Sequence, residues 1–483
     1  MIAHDREGLL HSPSRFKPRP NVQCCIRYRV VDGGGSKPLS LIDDASNGEK
    51  TIMIKNLRWV IVFLLLTLYM INYLDRVALS IVLPLVETDL QLNAEQFGII
   101  FGAFFFGYAI FNFLGGIAAD RFGSLWVLGA AVALWSIFCG LTAIATGFWS
   151  MLILRVLFGM AEGPISAAAN KMVNSWFPKR QVATAVGLLS AGSPLGGAVA
   201  GPIVGFLALA FGWRLSFVII AAIGFVWLAC WLYLAAETPE KSKRVTEEEK
   251  NRIAEWKREE QASLVGVVAP RRSFWSYIRH PVILSTSFAF FASNYTLFFF
   301  LSWFPTYLTK AHGLNIKSMA FATVIPWVVG FVGMSLGGAL SDFVLRKTGN
   351  PVLARKLILV TFLSCSALCV GLSGTVTTLY AAVALMSMAL FLIYTAGPSY
   401  WAVVLDNVDR SNVGAVTGFL HLCGSIAGMI GPVVTGYIVQ ATGKFDSAFL
   451  MAGCVSMSGA VVVFFLLRVS RPGPATQLPS QAL

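Results

Sequence analysis

The chain has 483 residues, of which 56% are hydrophobic and 13% are charged, and its formal net charge is +13. So apolar a composition excludes a soluble globular protein. A basic chain can bind nucleic acid, but here the cations are spread over alternate loops between apolar runs, so we expect no nucleic-acid partner.

The first 52 residues differ from the rest of the chain. They are polar and rich in Gly, Pro, Ser and Arg, and they show no hydrophobic periodicity. Such a segment cannot bury enough apolar surface to fold, and it lacks the apolar core of a signal peptide. We expect residues 1–52 to form a disordered extension.

Apolar runs follow one another along the remainder of the chain. Each has about 20 residues, the length of helix that crosses about 30 Å of hydrocarbon. Segments in lipid must satisfy their own backbone groups, so these runs are predicted to be helices. The sequence therefore predicts an all-α integral membrane protein with twelve transmembrane helices, near residues 58–84, 97–119, 124–145, 148–173, 182–206, 213–235, 283–308, 318–340, 355–375, 378–400, 412–438 and 446–468.

A polar segment of mixed charge, residues 237–280, separates the first six runs from the last six. Lysine and arginine are frequent in this segment and in alternate loops, and they are scarce in the loops between. This asymmetry is the positive-inside pattern. We therefore expect a multi-pass protein of the inner (plasma) membrane, with a cytoplasmic linker, a cytoplasmic tail at 471–483 and both termini in the cytoplasm.

The two sets of six runs resemble each other. The pattern Gly-Gly-x-x-x-Asp follows the second run, ending at Asp120, and recurs after the eighth run, ending at Asp342. An offset of a little over 220 residues is expected for two parallel six-helix halves, here 53–236 and 281–470. Small residues also match by chance in membrane helices, but the shared aspartate makes a repeat the better interpretation.

Two pairs of charges lie inside the apolar runs: Asp75 with Arg76, and Arg155 with Glu162. A charge at bilayer depth costs about 3 kcal/mol on insertion scales, unless it faces a cavity or a partner. The four residues therefore predict a polar site, shielded from lipid, that binds an anion and exchanges a proton.

The helical period suggests how these charges pair. Adjacent residues point about 100° apart, so Asp75 and Arg76 cannot serve one face, and we expect Asp75 to meet Arg155. Arg155 and Glu162 share a face about 10 Å apart along the axis, which leaves Glu162 beyond direct reach of Arg155. Two alternatives stay open: Arg76 pairs with a nearby acid, or all four residues form one static network.

Other chemistry finds no support in the sequence. The five histidines are scattered, the eight cysteines form no CxxC pair, and no Gly-rich phosphate loop with Lys-Ser or Lys-Thr occurs. We therefore expect no enzyme activity, no cofactor and no metal, and transport coupled to an ion gradient instead of ATP.

Across residues 55 to 470 the chain resembles the major facilitator superfamily, and within it the anion:cation symporters, particularly bacterial proton-coupled carriers of galactonate, glucarate and hexuronates. Five motifs carry the resemblance: Asn72-Tyr73-Leu74-Asp75-Arg76, Tyr108, Arg155-x6-Glu162-Gly163, Trp176-Phe177-Pro178 and Trp303-Phe304-Pro305-Thr306-Tyr307-Leu308. The loop after Gly116 departs from the family at Ser124 and Leu125, where basic residues are usual, so we expect weaker gating contacts there.

The resemblance and the residue chemistry together predict three groups of site residues. Arg76 is the expected carboxylate anchor because its planar fork suits bidentate binding. His421 stands where relatives usually have Asn, and packing is the alternative to lining the cavity. The predicted substrate-binding residues are Arg76, Tyr73, Tyr108, Ser193, Asn294, Ser399, Trp401 and His421; the proton-coupling residues are Asp75, Glu162 and Arg155; the gating residues are Asp120, Arg121 and Asp342.

The sequence thus predicts a monomeric secondary transporter that carries a small organic anion, in particular an aldonate, aldarate or hexuronate, with protons by alternating access. Carriage of another anion (aromatic acid, tartrate-like or phosphate) and an anion receptor without flux are the alternatives. A receptor would be favoured by a long fused cytoplasmic domain, and the sequence contains none.

Overall fold

The computed structural model describes residues 39–41, 52–262, 273–409 and 412–467. Of the predicted disordered extension it describes Leu39–Leu41 (β1) and Ile52; β1 pairs antiparallel with β2, Ile52–Ile54. The other residues of that extension, part of the linker at 263–272 and the tail at 471–483 lie outside the described residues.

Helices make up nearly all of the rest. Short 3₁₀ turns occur at Thr142–Ile144 and Pro239–Lys241. The α-helices are α1 Leu57–Leu90, α2 Ala94–Phe122, α3 Ser124–Leu141, α4 Phe148–Glu162, α5 Ile165–Trp176, α6 Lys179–Ser190, α7 Gly192–Leu234, α8 Glu247–Ala262, α9 Phe274–Ile278, α10 Pro281–Lys310, α11 Ile316–Ala322, α12 Val324–Thr348, α13 Pro351–Ser373, α14 Leu379–Asn407, α15 Val413–Thr442 and α16 Asp446–Leu466.

The described residues contain eleven helical segments that are long and apolar enough to cross a membrane. One of them, Lys179–Leu234, has 56 residues, more than twice the roughly 20 that a crossing requires. The chain breaks there at Gly212, whose positive φ of 79° interrupts the helix, so the segment supplies two crossings. The twelve predicted transmembrane helices are thus confirmed.

Glycines bring the helices around the charged residues close together. A Cβ at Gly159 of α4 would lie 1.9 Å from the carbonyl oxygen of Phe104 on α2, and a Cβ at Gly107 would lie 2.2 Å from that of Val156. No larger residue fits at either position without moving a helix backbone. This contact holds α4, with its two charges, directly against α2.

The linker is bound to the first half. The buried Glu249 of α8 accepts hydrogen bonds from the backbone N–H groups of Leu57 (2.9 Å) and Arg58 (3.3 Å) at the start of α1. The Ile54 N–H also donates to the Arg244 carbonyl at 2.8 Å. We call the end of the bundle that carries α8 the linker end, and the opposite end, where α1 finishes at Leu90, the far end.

The two halves meet at the far end. A Cβ at Gly98 of α2 would lie 2.7 Å from the carbonyl oxygen of Pro432 on α15, and one at Gly201 of α7 would lie 2.3 Å from that of Ala320 on α11. At the linker end of α15, a Cβ at Gly418 would have no atom within 4 Å. The described residues therefore close the interface between the halves at the far end.

Candidate functional site

An ion pair inside the first half forms the centre of the candidate site. The Arg76 Nε on α1 donates to the Glu162 Oε2 on α4 at 2.7 Å, and the two side chains are 8% and 0% exposed. The guanidinium carbon of Arg76 lies 4.7 Å from the ring centre of Tyr108, 4.9 Å from Phe104 and 5.5 Å from Tyr73. Aromatic faces of this kind stabilise a cation where water is scarce.

This ion pair is the alternative left open by the sequence, in which Arg76 pairs with a nearby acid. It leaves most N–H groups of the guanidinium available for another carboxylate. Within the described part of the chain, Arg76 donates a hydrogen bond through Nε alone. Its remaining N–H groups can therefore bind a second carboxylate. A small cavity adjoins them between the halves, lined by Arg76, Phe101, Phe104, Phe105, Arg155, Leu301 and Ser302.

The predicted ion pair between Asp75 and Arg155 is not formed. Both side chains are buried, and the Asp75 Oδ1 and the Arg155 Nε have no hydrogen-bond partner among the described residues. The Arg155 guanidinium instead lies near the rings of Phe158 and Phe217, at 5.3 and 5.8 Å. Asp75 still interacts electrostatically with Arg155, as it does with Glu162. The prediction was wrong because Glu162, about two turns from Arg155 on the same face of α4, is the residue that meets α1, whereas Arg155 lies beside Phe217 of α7.

Sequence reasoning gave no role to Asn72, although it lies beside Glu162. Its side-chain nitrogen is buried without a hydrogen-bond partner in the described part of the structure. The spacing contained the signal, because Asn72 precedes Arg76 by four residues and so shares its helix face. Asn72, Arg76 and Glu162 form one polar group.

The predicted hydroxyl groups of the first half also gather here. The Tyr108 hydroxyl lies 3.5 Å from the Ser166 Oγ, on α5. Buried Ser193 lies next to Tyr73. The Tyr73 ring meets Trp327 of the second half edge-on at 6.0 Å. The structure therefore brings Tyr73, Tyr108 and Ser193 together with Arg76.

The second half contributes a separate aromatic cluster. The rings of Trp401 on α14 and His421 on α15 lie 4.9 Å apart, and both contact Phe290 of α10. The Asn294 side chain donates to the Phe290 carbonyl at 2.8 Å. Phe290, Trp401 and His421 thus form one aromatic cluster, and Asn294 lies one turn after Phe290 on α10.

Ser399 does not belong to that cluster. It is fully buried, with its Oγ 3.3 Å from the Oγ of Ser341. Ser341 in turn bonds Arg355, whose Nε lies 3.6 Å from Asp406. Ser399 and Trp401 are two positions apart in the sequence, so their side chains point about 200° apart around α14. They therefore cannot face the same cavity. The structure therefore places Ser399 apart from the cluster of Trp401 and His421.

The predicted gating residues lie at the linker end. Asp120 forms an ion pair with Lys171 at 2.9 Å, and the Arg121 guanidinium carbon lies 5.5 Å from the ring centre of Phe122. Asp342 is exposed on α12. These contacts of Asp120 and Arg121 are both within the first half.

The loop at Ser124 and Leu125, where relatives usually have basic residues, is held by other contacts. The backbone N–H groups of these two residues donate to the Glu237 carboxylate at 2.8 and 2.7 Å. A carboxylate at the first turn of a helix also complements the helix dipole. Gly123 has a φ of 86°, and a Cβ there would lie 2.8 Å from Glu237. Backbone groups thus hold the loop where basic side chains were expected.

Comparison with known sequences agrees with this architecture. The Major Facilitator Superfamily model matches residues 65–432 and 355–482. The chain is 47% identical over 413 residues to "Hexuronate transporter" of Bacillus subtilis (strain 168), covering 85% of this chain and 94% of the relative. It is 32% identical over 438 residues to "Probable galactarate/D-glucarate transporter GudP" of the same organism, covering 87% and 93%. "Probable L-galactonate transporter" of Escherichia coli (strain K12) is 30% identical over 427 residues, covering 87% and 91%.

Among solved structures, a similar fold is seen in a bacterial homologue of the human lysosomal transporter Spinster, described as inward-facing and occupied. The TM-score is 0.63 at 20% identity, with 85% of this chain and 94% of that chain covered.

Proposed function

Because this chain belongs to the Major Facilitator Superfamily, we propose that it is a secondary transporter that carries a sugar acid, such as a hexuronate, together with protons. The observation that carries the proposal is Arg76, which donates one N–H to Glu162, has no other hydrogen-bond partner among the described residues, and lines a cavity between the halves. The relatives at 30–47% identity, which are named as transporters of hexuronate, galactarate/D-glucarate and L-galactonate, support the choice of anion.

Substrate binding follows from the fork of Arg76. A carboxylate bound by two parallel N–H groups gains both energy and orientation, and it gains more where water is excluded. Arg155 lines the same cavity and adds a second positive charge. The hydroxyl groups of Tyr73 and Tyr108 are near enough to Arg76 to bond sugar hydroxyls. These groups fit a polyhydroxylated acid better than a purely apolar anion.

Proton coupling follows from the contact between Arg76 and Glu162. A substrate carboxylate that binds Arg76 competes with the fully buried Glu162 for the positive charge of the guanidinium. A buried carboxylate that loses its cation is stable chiefly in its protonated form. Substrate binding and protonation of Glu162 therefore favour each other, as symport requires. Asp75, also buried and without a partner on Oδ1 among the described residues, is the second candidate for protonation.

Alternating access is the third part of the proposal. If the positive-inside pattern orients the chain, the linker end is cytoplasmic and the far end faces outward. The structure, closed at the far end, then corresponds to an inward-facing state. Asp120, Arg121 and Asp342 lie at the linker end, where the halves would meet in the opposite state, so we assign them to gating.

Uptake by proteoliposomes tests the function directly. Radiolabelled glucuronate or galacturonate should accumulate when the outside is acidic, and unlabelled hexuronates should compete better than galactonate or glucarate, given the 47% identity. Better competition by benzoate, tartrate or phosphate would move the assignment to another organic anion. Saturable binding without exchange or flux would indicate a receptor.

A further inference from the structure

A second polar cavity lies at the far end, on the outer side of the contact between the halves. Its volume is about 510 Å³, within the range of roughly 300–1,000 Å³ that small-molecule sites occupy. Both halves contribute to its walls. The polar and charged residues that line it are Glu87, Asn93, Lys310, Gln440, Lys444 and Asp446.

The two lysines of this cavity are in different situations. Lys310, at the end of α10, donates to Glu87, at the end of α1, at 2.7 Å, so their ion pair joins the two halves. These side chains are 43% and 28% exposed, so water and solutes reach the pair. Lys444 forms no ion pair within the part of the chain that the structure describes. One cation is thus engaged but accessible, and the other is available.

The inner wall of the cavity is the closed interface itself. The Ala94 N–H on α2 donates to the Gln440 side chain on α15 at 3.3 Å, and both residues line the cavity. One turn before Gln440, a Cβ at Gly436 would lie 2.6 Å from the Ala94 carbonyl oxygen. A ligand that binds Lys310 therefore sits beside the contact that keeps the far end closed.

We propose that this cavity is an outer docking site for the carboxylate of the transported anion. The proposal rests on the proposed function, because it requires a carboxylate substrate that arrives at the far end. The carboxylate accepts hydrogen bonds from the Lys444 ammonium and competes with Glu87 for Lys310. Exposed ion pairs contribute little stability, so the exchange of one carboxylate for another on Lys310 is easy. Arrival of substrate thereby weakens an ion pair between the halves before the central site opens.

Side-specific kinetics test the site. In right-side-out membrane vesicles the substrate meets the far end, and in inverted vesicles it meets the linker end. Lys444→Gln should raise the KM for glucuronate about two- to fivefold in right-side-out vesicles at low salt, the size expected for one exposed ion pair. The KM in inverted vesicles should not change. Added salt should remove the difference, because exposed charges are screened. Lys317→Gln is the matched control, since Lys317 is an exposed lysine at the far end that does not line the cavity.

Two further variants test whether the substrate carboxylate competes with Glu87 for Lys310. Glu87→Gln should lower the KM in right-side-out vesicles, because it leaves Lys310 to the substrate, and Lys310→Gln should raise it. Equal KM values for Lys444→Gln and Lys317→Gln would overturn the docking site while leaving transport intact. A KM changed by Lys444→Gln equally in both vesicle orientations would also overturn it. Absence of transport in wild-type vesicles of both orientations would instead overturn the proposed function, and the docking site with it.

Discussion

Replacing Glu162 with glutamine removes the charge that Arg76 contacts while keeping the size of the side chain. The change acts on a contact of 2.7 Å between side chains that are 8% and 0% exposed. In the wild type, a substrate carboxylate that binds the other N–H groups of Arg76 shares its positive charge with the ionised Glu162. In Glu162→Gln it meets an arginine without a competing carboxylate, as it would beside a protonated Glu162.

The burial of this ion pair sets the expected change in substrate affinity. Removing one partner of a buried ion pair costs about 3–5 kcal/mol when the remaining charge stays unpaired. Here the substrate supplies the missing charge, so part of that free energy should return as affinity. Coupling free energies of about 1–3 kcal/mol correspond to binding that is about 5- to 150-fold tighter than wild type at alkaline pH.

The sign of the pH dependence follows from the competition. If binding takes up one proton on Glu162, wild-type affinity should rise as pH falls, by at most about tenfold per pH unit. In Glu162→Gln that dependence should disappear, and the affinity should match the wild-type value at acidic pH. Calorimetry or a radioligand assay between about pH 5 and 8 measures both slopes.

Transport assays separate binding from coupling. Glu162→Gln should still exchange labelled for unlabelled substrate across proteoliposomes, because exchange needs no net proton movement. It should fail to accumulate substrate under a pH gradient. Glu95→Gln is a suitable control, since it removes an exposed carboxylate at the start of α2. Full gradient-driven accumulation by Glu162→Gln, or an unchanged pH slope of binding, would refute the assignment of Glu162.

Three other substitutions test the remaining parts of the reasoning. Arg76→Lys should weaken anion binding by about 2–5 kcal/mol, at least about thirtyfold, because lysine lacks the planar fork; near-wild-type affinity, relative to Arg252→Lys on the linker helix, would contradict the anchor. His421→Asn should leave the competition by glucarate and galactonate unchanged between about pH 7.5 and 5.5, because the imidazole packs against the rings of Trp401 and Phe290. A glucarate preference that increases in the wild type as the pH falls and is lost in His421→Asn would instead assign His421 to substrate binding. Glu249→Ala should lower the free energy of unfolding in detergent by about 1–3 kcal/mol, because the N–H groups of Leu57 and Arg58 lose their buried acceptor. The exposed Glu247→Ala serves as its control, and an equal melting temperature for the two variants would argue against a role of Glu249 in holding α1.

Much of the fold could be predicted from the sequence because lipid imposes strong constraints. Each apolar run had to be a helix of about 20 residues, so the number of crossings followed from the hydrophobic pattern alone. The helix ends were less predictable. The hydrophobic pattern predicts that the first helix ends near residue 84, yet α1 continues to Leu90. A proline removes one backbone hydrogen bond, and a membrane helix tolerates that loss when its neighbours support it.

The identity of the charged residues was also determined by the sequence, but their pairing was decided only by the tertiary structure. Asp75 and Arg76 point about 100° apart on α1, so either of them could have met α4, depending on how the two helices are rotated about their axes. The close contact of α4 with α2 at Gly159 and Gly107 fixes one rotation. In that arrangement Glu162 meets Arg76, and Arg155, about two helical turns away on the same face of α4, lies near Phe217 of α7. Periodicity along one helix holds no information about the rotation of its neighbour, because that rotation is set by side-chain packing between helices.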